Sequence, residues 1–150
     1  MRNPLQFDLA ITIKRNQSDV FLFLRDKDKY KQKKGSPVLV LEKITEGAVE
    51  VGTKYREVVQ MLPFYKGEII SVITRYDQPQ HLEEDFSGAG MKGHLAYHLI
   101  KEANSTKLIQ QESIEFIFPL NLLNPGIRKV LHRKLVERLE EIKLDLERQN

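Results

Sequence analysis

The chain has 150 residues, of which 24 are basic and 21 acidic, so its net charge is +3. This length fits a single domain over residues 1–150 that needs no disulfide or metal to stabilise it. The small net charge argues against a nucleic-acid partner, and the absence of cysteine excludes disulfides and cysteine-ligated zinc. We expect a cytoplasmic protein without a signal peptide or a transmembrane segment.

The first strand is predicted from alternating residues. From Leu5 to Ile13 every odd position is Leu, Phe or Ile, and most even positions are polar. This period of two is typical of a half-buried strand. Ser18 is placed to cap a short helix that carries Val20 and Leu24.

A basic segment follows this helix and ends before Gly35-Ser36-Pro37. Two interpretations remain open: a solvated loop, or a basic lip that attracts an anionic ligand or makes transient contact with a membrane surface. Asp26 and Asp28 interrupt the run and favour the solvated loop. The basic residues are Arg25, Lys27, Lys29, Lys31, Lys33 and Lys34.

Three further strands are predicted over residues 38–44, 53–61 and 68–76, because each is β-branched and apolar or alternates. In the strands over residues 53–61 and 68–76, one face is expected to point inward. The expected inward residues are Tyr55, Glu57 and Val59 in the strand over residues 53–61. In the strand over residues 68–76 they are Ile70, Val72, Thr74 and Tyr76.

Residues 81–86 predict a short strand with Leu82, Glu84 and Phe86 on one face. The next segment, residues 88–93, matches the dinucleotide pattern G-x-G-x-x-G. That pattern requires a following helix and further βαβ units, which the sequence does not offer. We therefore expect a loop between two strands and no cofactor.

Residues 94–101 fit either a helix or a strand, and the Asn104-Ser105 turn into residues 106–118 favours a hairpin. In a strand, Leu95, Tyr97 and Leu99 would point inward, whereas His94 and His98 would point outward. No third metal ligand accompanies the two histidines, so we expect no metal site.

A long amphipathic helix is predicted to end the chain. Asn124-Pro125 provides its cap and first position. Apolar residues recur every three or four positions and form one stripe about 20 residues long. Since the stripe is shorter than three heptads, packing on the domain's own sheet is favoured over a coiled coil. The stripe consists of Ile127, Leu131, Leu135, Leu139, Ile142 and Leu146.

Four motifs in this order resemble the START-like (SRPBCC) superfamily and its polyketide cyclase/dehydrase-like branch. Val20–Leu24 with Asp26 and Tyr30 is similar to "VFxFLxDxxxY", and Val51–Tyr55 to "vGtxy". Residues 74–79 resemble "xxYdPP" with Gln78 for a proline, and residues 105–108 resemble "gTxL". One departure is that Gln32-Lys33-Lys34 stands where an aromatic residue is common.

The resemblance implies an α+β helix-grip fold. In this fold a curved seven-stranded antiparallel sheet wraps a long C-terminal helix, and two short helices connect the first two strands. It also implies a cavity for a hydrophobic small molecule or lipid. The expected ligand-binding residues are Tyr55, Glu57, Val59, Val72, Tyr76, Tyr97, Leu108, Gln110, Glu112, Leu131 and Leu135.

Three functions remain open at this level. The first is binding of a hydrophobic ligand without catalysis. The second is a cyclase or dehydratase with Glu57 or Glu112 as the general base, because burial raises the pKa of a carboxyl group. Against this, Glu57 could form an ion pair with Arg56 or Arg75. The third is a ubiquinone-chaperone-like or other protein-interaction module. The sequence does not specify the oligomeric state.

Overall fold

The computed structural model describes residues 4–29, 38–62, 65–117 and 120–148. Seven strands form one antiparallel sheet in the order β1-β7-β6-β5-β4-β3-β2. Two α-helices accompany it in the described part of the chain. The strands are β1 (Leu5–Ile13), β2 (Val38–Lys43), β3 (Lys54–Leu62), β4 (Tyr65–Asp77), β5 (His81–Gly88), β6 (Met91–Lys101) and β7 (Thr106–Phe116), and the helices are α1 (Gln17–Arg25) and α2 (Asn124–Arg148).

The predicted α+β helix-grip fold is confirmed by this architecture. Between β1 and β2 the structure has α1 and a 3-10 turn at Lys27–Lys29, and residues 30–37 of that connection lie outside the described residues. Asn16, not Ser18, caps α1, because its side chain accepts a hydrogen bond from the backbone N–H of Asp19 at 2.8 Å.

The apolar stripe of α2 lies against the inner face of the sheet and divides the core into two clusters. Toward the C-terminal end, Leu139, Ile142 and Leu146 pack with α1 and the first strand. Toward the N-terminal end, Leu131 packs with Val59 and other residues of β1, β3, β4, β6 and β7. The space between the two clusters is where a cavity can form.

The register expected for β4 is wrong. Ile69, Ser71 and Ile73 are buried, at 6%, 1% and 2% exposure, whereas Val72 lies on the outer face between Lys54 and Asp85. A β-bulge between Ile73 and Arg75 then shifts the alternation by one residue. Tyr76 is therefore directed inward and packs against the core. Ile70 and Thr74 are not directed inward.

The glycine-rich segment is the turn of the β5–β6 hairpin. Gly88 and Gly90 have φ of 128° and 76°, values that an L side chain rarely adopts. A strand, β6, follows the turn in place of the helix that a dinucleotide site needs. The expectation of a loop between two strands is confirmed, and β6 has Leu99 buried, as the strand interpretation of residues 94–101 predicts.

Candidate functional site

A cavity of about 460 Å³ lies between the inner face of the sheet and α2. Its volume is within the range of small-molecule sites. One part of the lining is apolar and includes Val59, Ile69, Phe86, Ile114 and Leu131. The other part is polar and is organised around one lysine, so the cavity has two chemically different regions.

Lys27 is the centre of the polar region. It belongs to the 3-10 turn after α1, yet its ammonium group is directed into the cavity. Its Nζ lies 3.2 Å from Glu57 Oε1 on β3 and 3.0 Å from Glu84 Oε2 on β5. It also donates to Ser71 Oγ at 3.4 Å and lies 4.6 Å from the centre of the Tyr55 ring. These contacts hold the turn against three adjacent strands.

Two carboxylates compensate for the burial of this lysine. Burial by itself lowers the pKa of Lys27, but the charges and hydrogen bonds of Glu84 and Glu57 outweigh it, and the pKa is raised above its ordinary value. Lys27 therefore stays protonated throughout the neutral range. Burial also raises the pKa of Tyr55 to about 12, so its phenol stays neutral.

Glu112 on β7 lines the cavity and has a pKa near neutrality. Burial raises its pKa to about 7, although a hydrogen bond from Gln110 opposes the shift. That bond runs from Gln110 Nε2 to Glu112 Oε1 at 2.8 Å. The negative charges of Glu84 and Glu57 add to the effect of burial. Glu112 keeps some accessible surface because it faces the cavity, while protein surrounds it on the other sides.

Eight of the eleven residues expected to bind ligand lie around this cavity. Three lie elsewhere. Val72 is on the outer face of the sheet, Tyr76 packs edge-on against Phe21 with ring centres 5.3 Å apart, and Leu108 is fully buried in the core beside α1. The eight are Tyr55, Glu57, Val59, Tyr97, Gln110, Glu112, Leu131 and Leu135.

The ion pair expected for Glu57 exists, but its partner is Lys27. Arg56 and Arg75 instead pair on the outer face, Arg56 with Glu42 and Glu68, and Arg75 with Asp77 and Glu83. Sequence reasoning missed Lys27 because nothing distinguishes it from its neighbouring lysines. It could have found Glu84, which alternation already placed on the same face as Leu82 and Phe86.

A second titratable cluster lies on the outer face of β5 and β6. Glu83 contacts His81 at 2.5 Å and His94 at 2.6 Å, and the His94 ring also contacts Asp85 at 2.5 Å. Burial lowers the pKa of His94, but the two carboxylates outweigh it and raise the pKa. Among the described residues no group of three or more His, Asp or Glu is arranged to hold a metal ion.

Comparison with solved structures identifies the fold. The chain is similar to the Zhui aromatase/cyclase from Streptomyces sp. R1128, with a TM-score of 0.79 and 14% identity over 97% of this chain and 95% of that one. It is also similar to a START superfamily protein from Mycobacterium smegmatis, with a TM-score of 0.67 and 12% identity over 93% and 99% of the two chains. A norcoclaurine synthase from Thalictrum flavum has a TM-score of 0.66 and 13% identity over 97% of each chain.

Comparison of the sequence alone identifies no relative. No protein-family model matches the chain, and neither does any curated protein sequence. No helix in the described ranges combines the length and the apolar character that a membrane span requires. At such low identity, structural similarity establishes the fold and not the ligand or the reaction. This chain shares its helix-grip fold with these solved structures.

Proposed function

We propose that this protein binds a hydrophobic small molecule or lipid in the cavity between the sheet and α2. The observation that carries the proposal is the cavity itself, with a volume of about 460 Å³ and an apolar region on both the sheet and the helix. A closely packed protein interior contains few voids larger than a water molecule. A space of this size lined by Phe86, Ile114 and Leu131 is therefore suited to an apolar ligand.

The expected affinity follows from the apolar surface that such a ligand would bury. Burial of about 300 Å² at about 25 cal/mol/Å² contributes about 7 kcal/mol before costs. Immobilising the ligand removes several kcal/mol of this. The few kcal/mol that remain correspond to a dissociation constant in the millimolar range, so tighter binding requires a contribution from the polar region.

Native mass spectrometry of freshly purified protein, with extraction of any bound molecule, tests the proposal. Leu95→Trp is designed to fill the cavity, because Leu95 lines it and keeps accessible surface there. Val72→Trp is the matched control on the outer face. The proposal predicts a bound apolar molecule in the wild type and in the control but not in Leu95→Trp. Bare polypeptide from several expression hosts, together with no uptake of added apolar compounds, would contradict it.

A second candidate function is acid–base catalysis on a bound substrate, of the cyclase or dehydratase kind. The observation that favours it is Glu112, whose pKa of about 7 allows proton transfer in both directions near neutrality. Glu57 is less suited, because its carboxylate is engaged by Lys27. Turnover that is lost in Glu112→Gln while ligand affinity is kept would support catalysis. Equal turnover by the variant would exclude Glu112 as the base.

A further inference from the structure

The polar region of the cavity has few hydrogen-bond donors left for a ligand. An ammonium group has three N–H bonds, and Lys27 directs its Nζ toward Glu57, Glu84 and Ser71. Arg25 also lines the cavity, but Asp26 engages its guanidinium at 2.9 Å. Lys27 cannot turn toward a ligand anion without giving up a buried partner, which is costly. Arg25 directs three of its five N–H bonds at Asp26 and Tyr76.

Hydrogen-bond acceptors, in contrast, remain available. Within the described residues, the only hydrogen bond of Glu112 is the one that its Oε1 accepts from Gln110, so its second oxygen is left over. Gln110 is only 3% exposed and lines the cavity, and its Oε1 has no donor among the described residues. Glu57 uses one oxygen for Lys27. A buried acceptor without a donor is unfavourable until a donor reaches it.

The charges in this region point in the same direction. Glu57 and Glu84 carry two negative charges, and Lys27 carries one positive charge. The cluster therefore has a net charge of minus one before Glu112 ionises. On α2 the lining includes Lys134 and Arg138 as well as Glu137 and Glu141; Arg138 lies 3.8 Å from Glu141, and Glu137 lies 4.0 Å from Arg133. An anionic group placed between Glu112 and the cluster of Lys27, Glu57 and Glu84 would therefore meet net negative charge.

We infer that the ligand is a neutral amphiphile whose polar end is an uncharged hydrogen-bond donor, such as a hydroxyl group, and that the cavity rejects carboxylates. The donor lies against Gln110 and Glu112, and the apolar body lies against Phe86, Ile114 and Leu131. Tyr97 lines the same cavity, and a phenol can accept or donate a hydrogen bond without a change in charge. This inference rests on the proposed function, since it names the class of ligand for the same cavity.

Three probes with one ring system and different polar groups separate the possibilities. They are 2-naphthol, which donates a hydrogen bond, 2-methoxynaphthalene, which does not, and 2-naphthoate, which is an anion. Titration calorimetry near pH 8 keeps Glu112 mainly ionised, given its pKa of about 7. We expect 2-naphthol to bind about tenfold more tightly than the ether, and at least about tenfold more tightly than the carboxylate.

Two variants of neighbouring positions on β7 assign the preference. Glu112→Gln removes the charge and adds an N–H donor, so the preference for 2-naphthol over 2-naphthoate should fall by about tenfold. Glu115→Gln is the matched control, because Glu115 lies on the outer face and pairs with Lys92 at 3.7 Å. The control should keep the wild-type ratio.

The outcomes distinguish this inference from the function on which it rests. If none of the three probes binds, the proposed function fails and the inference fails with it. If the ether or the carboxylate binds as tightly as 2-naphthol, the cavity binds apolar ligands but the inferred selectivity is wrong. If both variants lose the preference equally, Glu112 is not its source and the assignment is overturned. If the variants do not fold, the comparison of the three probes on the wild-type protein still tests the inferred selectivity.

Discussion

Replacing Glu112 by Gln should change how the stability of this protein depends on pH. Burial raises the pKa of Glu112 from 4.5 to about 7 in the folded state. The folded state therefore binds this proton more tightly than the unfolded state does. A carboxyl group of this kind contributes stability that is fully present below pH 4.5, and this contribution is lost as the pH rises toward about 7.

The size of the effect follows from the two pKa values. The difference between about 7 and 4.5, at about 1.4 kcal/mol per pH unit, corresponds to about 3 kcal/mol. The amide in Glu112→Gln resembles the protonated acid in shape and does not ionise. The variant should have a free energy of unfolding close to that of the wild type near pH 4.5. At pH 8 the variant should be more stable than the wild type by about 3 kcal/mol.

Urea denaturation at four pH values between 4.5 and 8 measures this difference directly. The comparison of variant with wild type removes the contributions of the other titrating groups, provided that they do not change. Glu115→Gln is the control and should follow the pH dependence of the wild type. Stability curves of Glu112→Gln and wild type that stay parallel over the whole range would refute the assignment of a raised pKa to this residue.

Two further substitutions test the packing around the site. Lys27→Met should lower the free energy of unfolding, measured by urea denaturation, by about 3–5 kcal/mol, because it leaves two buried carboxylates without their cation. The control Lys29→Met, at a side chain that is 70% exposed, should change it by less than about 0.5 kcal/mol. Equal effects of the two substitutions would contradict the buried cluster. Gly93→Ala should lower the thermal midpoint, because an added Cβ would lie 2.1 Å from the Ser113 backbone oxygen and 2.5 Å from Phe86 Cζ. Gly126→Ala, with nothing within 4 Å, should be neutral or stabilising by up to about 1 kcal/mol. A stabilised Gly93→Ala would show that β7 and the Phe86 ring do not approach this glycine so closely.

Alternation of apolar and polar residues was enough to predict most of the sheet. It identified the apolar faces of β1, β3 and β5, because each of these strands has one mainly apolar and one mainly polar face. The stripe from Ile127 to Leu146 likewise identified the face of α2 that meets the sheet. These patterns are local consequences of burial on one side, so one sequence is sufficient to detect them.

Strand β4 could not be assigned in this way. Ile70 and Val72 on its outer face are as apolar as Ile69 and Ile73 on its inner face, so the period of two gives no direction. The bulge after Ile73 depends on pairing with β5 and has no local signature. This explains why Val72 was expected in the cavity and lies outside it.

The centre of the polar region was also beyond the reach of sequence patterns. Lys27 stands among other lysines in a segment that composition describes as solvated, and only the three-dimensional fold brings it to Glu57 and Glu84. The two carboxylates are 27 positions apart in the chain and belong to different strands. A buried pair of this kind implies a nearby cation, but the sequence does not indicate which one.

The location of a bound apolar probe is the measurement that tests the account most directly. With methyl-labelled protein and 2-naphthol, intermolecular nuclear Overhauser effects should connect the probe to the methyl groups of Leu95, Ile114 and Leu131, which line the cavity. Methyl groups on the outer face, such as those of Val72, should show none. Effects confined to outer methyl groups, or none at a saturating probe concentration, would contradict a ligand site between the sheet and α2.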